Sequence, residues 1–433
     1  MSYGLQFMEK HGIVQLGETE TEISVGVAKE LSEDLVRTLQ TFHGRQVRQR
    51  VLDGGDLRSR IQKAAATRSP QIGETSSEAP APSARISDLS IDEIAEDAPA
   101  VNLVNALLND AVRSHASDIH LEAHSIDVAV RYRIDGRLLR ITRFPVNRFA
   151  GISARLKVLA GINPSERRRP QDGRFSAGLG DDTFDIRFSS LPTIGGESLV
   201  LRLFRQSRDA FTIYDLGLSN AALFEIRSTI QRASGFLLVS GPAGSGKTTT
   251  LHACLRHIGT DERKIVTIED PVEYHLPEID QVQTNPAVGL TFDSILKRVL
   301  RQDPNVIMVG EIRDAETANL AVRAAITGHL VLSTVHARAA ADVTDRLVSL
   351  GVDEALLRSV APVIVEQRLV RIRCEKCDGI GCPACRKTGF RGRTGIFGVI
   401  TSTGGSTTMV ADGHRKVIAG QTTHEEIAWA TVA

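Results

Sequence analysis

The sequence predicts an α/β fold in which a parallel sheet carries a phosphate-binding loop and smaller α+β domains come first. Three observations support this fold. A pattern G-x-x-x-x-G-K-[ST] lies between a short apolar run and a helical stretch. Strand-like and helical runs alternate through residues 212–365, as in sheets of the nucleotide-binding kind. Upstream, apolar and polar residues alternate as in half-buried strands.

The phosphate-binding loop is the strongest signal in the chain. Residues 235–240 are apolar like a buried strand, and Thr249–His257 contains no proline or glycine to break a helix. Glycines allow a tight turn whose N–H groups point at phosphate oxygens, Lys247 can reach the β- and γ-phosphates of ATP, and Thr248 can bind magnesium. The predicted nucleotide-binding residues are Gly241, Pro242, Ala243, Gly244, Ser245, Gly246, Lys247, Thr248 and Thr249. The alternative is a chance match in a glycine-rich connection.

Composition narrows the class of protein. Lys+Arg and Asp+Glu both number 52 and aromatic residues make up 4%, so we expect no nucleic-acid partner. No apolar run approaches the ~20 residues that span a bilayer, and no signal peptide precedes the chain. We therefore expect a soluble protein that reaches a membrane through a partner. Four of the five cysteines lie within residues 374–385, which predicts metal binding in a reducing compartment.

The amino-terminal third predicts two parts. Residues 1–65 indicate a small α+β docking module, with strands at Ile23–Val27 and Arg45–Val51 and helices at Ala28–Phe42 and Asp56–Ala65. A plain structural extension is the alternative. Residues 66–90 are rich in proline, serine, alanine and glutamate, which predicts a flexible linker.

Residues 91–211 predict an α+β domain, a sheet with helices on one face. A helix is expected at Val101–Ser114, and a strand over residues 127–134 turns at Asp135-Gly136 into a second strand. Three arginines on the later strands face away from the core: Arg174, Arg187 and Arg202. They form either a solvated strand face or an electropositive face that meets phosphate from another domain or subunit.

Residues 212–433 predict the motor domain. Glu269 ends one buried strand and Glu311 follows another, so both acids are expected at the rim where ligands bind. We expect Thr248 to bind magnesium with waters bridged to Glu311, and Glu269 to activate the attacking water. Capping of a helix is the alternative role for either acid. Two histidines, His329 and His336, lie at opposite ends of one strand and are not a metal pair. His336 could sense the γ-phosphate, although a structural histidine is the commoner case.

The cysteines follow the pattern C-x2-C-x4-C-x2-C. Four thiolates on two tight turns predict a closed, structural zinc site within residues 370–400, formed by Cys374, Cys377, Cys382 and Cys385. Free cysteines and an iron–sulphur cluster are the alternatives.

Together these stretches resemble the secretion ATPases of type II secretion and type IV pilus assembly, from Ile91 to about Ile400. The resemblance rests on the ordered motifs ASDIHLE, PQDGR, LPTIGGESLVLRLF, the phosphate loop, IEDPVEY, LRQDPNVIMVGEIRD and TGHLVLSTVHA. It implies a RecA-like P-loop motor domain after a PAS-like domain, and it supports zinc in the cysteine subdomain. This chain departs from the family at Gly398, where an acid is usual.

The resemblance also implies roles. IEDPVEY corresponds to the aspartate box and TGHLVLSTVHA to the histidine box, which makes His329 and His336 site residues. The arginines implied to approach the nucleotide phosphates are Arg174, Arg187, Arg298, Arg301 and Arg313. A homo-hexamer is implied, with the amino-terminal module docked on the cytoplasmic domain of an inner-membrane secretion protein and with a platform protein as a further partner.

The sequence therefore predicts a cytoplasmic ATP hydrolase, peripheral to the bacterial inner membrane, that drives pseudopilus assembly and protein export by type II secretion. The short docking module favours this branch over a type IV pilus assembly ATPase. An ATP-bound scaffold with little hydrolysis is a rival that the two acids count against. A DNA-pumping motor is a second rival, which the balanced charge disfavours.

Overall fold

A computed structural model describes most of the chain in two compact units. The described residues are 12–19, 21–31, 33, 36, 39–40, 45–66, 100–180, 182–205, 211–337, 339–401 and 406–432. The two units are Met1–Ser207 and Arg208–Ala433. Among the described helices, none is long and apolar enough to cross a bilayer.

The first unit starts with a small three-stranded sheet. Its strands are β1 Ile13–Glu18, β2 Glu22–Val27 and β3 Gln46–Val51, and helix α1 Gly54–Ala66 follows. The central strand β2 is antiparallel to β1 and parallel to β3. The two predicted strands and the second predicted helix are confirmed, whereas β1 had no alternating pattern that could indicate it. About half of the residues of the helix predicted at 28–42, and nearly all of the linker predicted at 66–90, lie outside the described residues.

The rest of the first unit is a sheet with helices on one face, as predicted. Six antiparallel strands lie in the order β6-β5-β4-β9-β8-β7. The strands are β4 Ala116–Ala123, β5 Asp127–Ile134, β6 Arg137–Pro145, β7 Gln171–Leu179, β8 Asp182–Thr193 and β9 Gly196–Arg205, and the helices are α2 Ala100–Arg113 and α3 Phe149–Leu159. Apolar side chains from both helices and one sheet face form a single core. Within it, the Tyr132 hydroxyl donates a hydrogen bond to the Leu107 carbonyl at 2.9 Å.

A buried ion pair fastens α3 to the sheet. Lys157 is 0% exposed and is paired with Glu197 at the start of β9. The Ser153 hydroxyl donates to the other Glu197 oxygen at 2.9 Å, and Lys157 also donates to the Glu166 carbonyl at 2.6 Å. Both charges are therefore hydrogen-bonded inside the core, which is the condition for tolerating them there.

The second unit is built on an eight-stranded sheet in the order β12-β11-β13-β14-β10-β15-β16-β17. All neighbours from β12 to β15 are parallel, and β16 and β17 are antiparallel additions. The strands are β10 Gly235–Ser240, β11 Ile265–Glu269, β12 Asp280–Gln283, β13 Val306–Val309, β14 Leu330–Val335, β15 Val363–Arg373, β16 Phe390–Ile400 and β17 Ser406–Thr407. The helices are α4 Asn220–Ile230, α5 Lys247–Ile258, α6 Phe292–Val299, α7 Ala315–Ile326, α8 Asp342–Ser349, α9 Glu354–Val360, α10 Met409–Ile418 and α11 His424–Val432.

The central strands β10, β11, β13 and β14 are rich in apolar residues and almost wholly buried, because both faces of the sheet are covered. Side chains on one face pack in one apolar cluster, and those on the other face pack in a second. Because these strands are parallel, the ends of β10, β11, β13 and β14 meet at one edge of the sheet. The predicted α/β fold is confirmed, and this edge receives the chemistry-bearing loops.

Gly398, the departure from the family, lies opposite Glu366 in the β15–β16 pairing. A Cβ at position 398 would lie 3.1 Å from the Met409 nitrogen and 3.6 Å from the Glu366 Cβ. The chain that returns through β17 therefore crowds the space that a larger residue would need.

We predict that Lys157→Met destabilises the first unit by about 3–5 kcal/mol, because it leaves the Glu197 carboxylate buried without its cation. Urea denaturation of the full chain measures the loss. The double variant Lys157→Met/Glu197→Leu should recover much of it, since neither charge is then buried alone. A single variant as stable as the wild type would contradict this account.

Candidate functional site

The phosphate-binding loop joins β10 to α5 in a conformation that favours glycine. Gly241, Gly244 and Gly246 have φ of 152°, 74° and 86°. A Cβ at Gly241 would lie 2.4 Å from the Gln367 carbonyl oxygen, and one at Gly246 would lie 2.8 Å from Gln367 Nε2. A Cβ at Gly244 would meet nothing within 4 Å. Backbone conformation therefore favours glycine at all three positions, and packing against β15 adds a second constraint at two of them.

Lys247 occupies the centre of the loop. Its ammonium group donates hydrogen bonds to the carbonyls of Gly241 and Pro242, both at 2.9 Å. Burial lowers the pKa of Lys247, with the nearby charge of Glu311 opposing the shift and that of Arg368 adding to it. The Ser245 hydroxyl is buried without a hydrogen-bond partner among the described residues. A buried cation and an unused hydroxyl suit an anionic group such as a phosphate.

The remaining loop residues lie at the surface of the loop or at the start of α5. Pro242, Ala243 and Gly244 are exposed, whereas Thr248 and Thr249 are half-buried in the first turn of the helix. Thr248 therefore follows Lys247 in the turn nearest the loop, where its hydroxyl could hold magnesium.

Glu311 brings charged groups from two strand ends together. Its carboxylate is 2.5 Å from Arg313 Nη2 and 3.6 Å from His336 Nε2. The loop that carries it is fixed to β14, because the Thr334 hydroxyl donates to the Gly310 carbonyl at 2.8 Å. Burial and the charge of Lys247 lower the pKa of His336, while Glu311 acts in the opposite direction. Lys247, Glu311, Arg313 and His336 thus form one interacting set of charges, the charge cluster.

Packing favours a small residue at Gly310, where an aspartate is more common. A Cβ at this position would lie 3.1 Å from the Ile268 carbonyl oxygen and 3.5 Å from the Glu269 Cα. The backbone N–H of Gly310 donates to that same carbonyl at 2.7 Å. The close approach of β11 and β13 leaves little room for a side chain, so Glu311 is the acid that this loop provides.

Glu269 has other partners, although β11 adjoins β13. Its carboxylate accepts hydrogen bonds from Thr267 at 2.7 Å and Gln281 at 3.0 Å, and it lies 3.0 Å from His252 Nε2. Burial would raise the pKa of Glu269, but the hydrogen bonds led by that of His252 outweigh it and hold the pKa below its usual value. None of these partners belongs to the charge cluster. The structure therefore gives the two predicted acids separate surroundings.

Three residues at this edge were not predicted from the sequence. Gln367 accepts a hydrogen bond from the Thr250 hydroxyl at 2.7 Å, and Arg368 donates to the Gln367 carbonyl at 3.2 Å. His252 is the third. Arg368 and His252 are buried. The sequence feature that could have identified them is a polar residue inside an otherwise apolar, buried helix or strand, since such a residue needs a hydrogen-bond partner.

The other predicted residues of the second unit lie apart. His329 precedes β14, where its Nδ1 is 3.0 Å from the Ala324 carbonyl, so the whole strand separates it from His336. Arg298 is exposed in the last turn of α6, and Arg301 is exposed just after it. Neither arginine forms an ion pair with a described residue.

Arg174 and Arg187 lie in the first unit, in a row of cross-strand neighbours. The row runs Arg133, Asp118, Arg202, Arg187, Arg174 over β5, β4, β9, β8 and β7. Buried aspartates hold three of these arginines: Asp118 is 2.9 Å from Arg202 Nε and 3.6 Å from Arg133 Nε, and Asp185 is 2.6 Å from Arg174 Nε. We call this set the arginine row. It places four arginines and one aspartate at neighbouring positions on one face of the sheet.

The Arg187 guanidinium lies 4.6 Å from the centre of the Phe204 ring. This contact is of the cation–π type. No carboxylate among the described residues pairs with Arg187, so its N–H donors remain available. Arg187 is thus the member of the arginine row whose donors are best able to take an anion.

The four cysteines form a compact cluster between β15 and β16. Their sulphur atoms all lie within 4.8 Å of one another, with Cys374–Cys382 at 3.9 Å and Cys377–Cys385 at 3.8 Å. Tetrahedral zinc with bonds of ~2.3 Å requires sulphur atoms about 3.8 Å apart.

Backbone N–H groups surround the cysteine sulphurs. Gly381 donates to Cys377 at 3.2 Å, and Cys382 donates to Cys385 at 3.1 Å. Burial raises the pKa of Cys385, but hydrogen bonds from the Cys382 and Gly389 backbones lower it to about 6. The residues therefore fit a closed zinc site.

Several known proteins are similar to this chain over most of its length. The model of the family described as "Type II/IV secretion system protein" matches residues 93–431. The "Type II secretion system protein HxcR" of Pseudomonas aeruginosa is 40% identical over 362 residues, which cover 77% of each chain. The "Type II secretion system ATPase E" of Vibrio cholerae is 40% identical over 330 residues, 70% of this chain and 65% of that protein. Among solved structures, the ATPase DotB of Legionella pneumophila is similar in fold, with a TM-score of 0.62 at 22% identity over 77% of this chain and 97% of that one.

We predict that the full chain binds about one zinc ion and that Cys382→Ala removes most of it, because three thiolates no longer close the tetrahedron. Inductively coupled plasma mass spectrometry of the purified protein measures the metal. The matched control is Cys254→Ala, a buried cysteine outside the cluster. Full zinc content in Cys382→Ala, or iron in the wild type, would contradict the site.

Proposed function

The chain belongs to the type II/IV secretion system protein family, and we propose that it hydrolyses ATP to drive assembly of a pseudopilus for protein export by type II secretion. The observation that carries the proposal is the phosphate-binding loop, where buried Lys247 faces an edge that also holds Glu311 and His336. Relatives named for type II secretion support the choice of system.

The chain's own groups account for binding of the triphosphate. N–H groups of the loop and the ammonium of Lys247 would donate hydrogen bonds to the phosphate oxygens. Lys247 would then exchange its hydrogen bonds to the Gly241 and Pro242 carbonyls for stronger ones to an anion. Thr248 and waters at Glu311 would hold magnesium, which would neutralise the phosphate oxygens when bound. His336, whose Nε2 lies 3.6 Å from the Glu311 carboxylate, would lie near the terminal phosphate.

Glu269 is the proposed base. Water attacks the γ-phosphorus, the bond to the β-phosphate oxygen breaks, ADP leaves with the bonding electrons, and the proton of the water passes to the Glu269 carboxylate. Positive charge near the phosphates stabilises the charge that develops. We propose that Arg313, Arg298 and Arg301 of the second unit supply part of it, with Arg174 and Arg187 of the first unit.

The proposed assembly is a ring of six copies. In such a ring, hydrolysis would move the arginine-bearing domain against the motor domain. Residues 1–65 would dock on the cytoplasmic domain of an inner-membrane secretion protein, and a platform protein of that membrane would receive the motion. The proposed location is the cytoplasmic side of the inner membrane. Type IV pilus assembly is the alternative output of the same motor.

We predict that Lys247→Ala and Glu311→Ala each abolish phosphate release, because one removes the phosphate-binding cation and the other an acid beside it. Steady-state phosphate release by the assembled protein measures this. Lys264→Ala, an exposed lysine that precedes β11, is the matched control and should retain turnover. Turnover like that of the wild type in either site variant would overturn the assignment. A wild type that binds ATP but releases no phosphate would indicate the scaffold instead.

We predict that Arg187→Ala lowers kcat by at least about tenfold, since one preorganised donor to a developing charge contributes that much or more. Arg140→Ala is the matched control, an exposed arginine on β6 at the other edge of the same sheet. Phosphate release at saturating ATP measures both. Equal turnover of the two variants would remove Arg187 from the site.

A further inference from the structure

His252 connects the helix of the phosphate-binding loop to the proposed base. It lies in α5, the helix that begins at Lys247, and its side chain is 5% exposed. Its Nε2 is 3.0 Å from Glu269 Oε2, and its ring stands edge-on to Tyr274 at 6.1 Å between centroids. The element that receives the phosphates therefore also holds the carboxylate proposed to receive the proton of the water.

The hydrogen bonds of Glu269 leave one acceptor position open. An ionised carboxylate has about two lone-pair positions on each oxygen. Oε1 uses both, accepting from the Thr267 hydroxyl at 2.7 Å and the Gln281 amide at 3.0 Å. Oε2 uses one, toward His252. Among the described residues no other group donates to Oε2, so its second lone pair is open to a further donor such as a water.

Burying the polar ring of His252 costs free energy unless the ring has a hydrogen-bond partner. The residues next to it in the chain, Leu251, Ala253, Cys254 and Leu255, are all buried and apolar. Its Nδ1 is buried without a partner among the described residues. Glu269 is thus the hydrogen-bond partner that the structure gives this imidazole, and a buried polar group is expected to have one.

We infer that His252 is a positioning residue for hydrolysis: its Nε2–H holds Glu269 so that the open lone pair of Oε2 faces the attacking water. The inference rests on the proposed function, in which Glu269 is the base. His252 touches neither nucleotide nor water and acts through the carboxylate. Thr267 and Gln281 hold Oε1, so loss of the imidazole would remove the contact that orients Oε2.

Gln281 extends the same arrangement to the loop after β11. Its amide nitrogen also donates to the Tyr274 carbonyl at 3.0 Å, and its amide oxygen accepts from the Leu276 N–H at 2.7 Å. The loop that brings Tyr274 against the His252 ring is therefore held by the residue that holds Oε1. Both oxygens of Glu269 are oriented by groups that are themselves fixed.

The test compares three variants of the full chain. His252→Phe keeps a ring but loses the donor, and we expect kcat for ATP hydrolysis to fall about 10- to 100-fold, part of what a general base contributes. KM and nucleotide affinity should stay within about twofold, since no phosphate contact is removed. His252→Gln places an amide N–H near the position of Nε2 and should restore kcat to within about threefold. His257→Phe, on the same helix but outside this contact, is the matched control.

A double-variant cycle with Glu269→Gln separates positioning from a structural role. If His252 acts through Glu269, His252→Phe lowers kcat no further in the Glu269→Gln background. Additive losses would overturn the inference, as would a loss confined to KM, a glutamine variant as slow as the phenylalanine variant, or a phenylalanine variant as active as the wild type. Should His252→Phe not fold, His252→Asn takes its place, because its shorter amide cannot reach Oε2.

The single variant Glu269→Gln keeps this inference distinct from the proposed function. If Glu269→Gln turns over like the wild type, Glu269 is not the base and the role of His252 falls with it, while ATP hydrolysis itself stands. If it is inactive while His252→Phe is fully active, the proposed function stands and the role of His252 alone is wrong. Thermal unfolding of each variant shows whether any loss of kcat follows from loss of the fold.

Discussion

The buried ammonium group of Lys247, at the start of α5, is the constraint on which the phosphate-binding edge of the second unit depends. Lys247 is surrounded by protein and, among described groups, donates to two backbone carbonyls. Burying a cation with neutral partners costs free energy, and the lowered pKa of Lys247 expresses that cost. An anion at the loop would offset it. The glycine turn, the packing of β15 against it and the approach of Glu311 all arrange the surroundings of this charge.

The two acids at the edge of the sheet differ in their environment, and this difference is the basis for proposing different roles for them in hydrolysis. Glu311 lies beside the Arg313 guanidinium and 3.6 Å from the His336 ring. Glu269 is enclosed by hydrogen-bond donors from α5, β11 and β12. A carboxylate paired with a partly exposed cation suits a role at the metal and phosphates, whereas a carboxylate held by several donors with one open lone pair suits a role at a single water. The proposed mechanism uses this difference.

The arginine row of the first unit holds several guanidinium groups side by side on one face of the sheet. Antiparallel register brings the side chains of the arginine row to neighbouring positions on one face. Buried Asp118 and Asp185 restrict the rotation of Arg202 and Arg174, while the Phe204 ring supports Arg187. Guanidinium groups held in this way lose less entropy when they bind an anion, and on this ground we propose that the arginine row binds phosphate.

The sequence by itself determined the features that local geometry encodes. The glycine-rich turn between a strand and a helix, the buried central strands and the two cysteine pairs were predicted correctly. Each depends on residues within one turn or one strand. Tertiary structure decided the rest. The partners of Glu269, the contact of Gln367 with Thr250 and the restricted space at Gly310 join residues that are distant in the chain: His252 and Glu269 are 17 positions apart, Thr250 and Gln367 are 117 apart. Sheet order and register bring such residues together, and no local pattern specifies which buried carboxylate a histidine of another element will face.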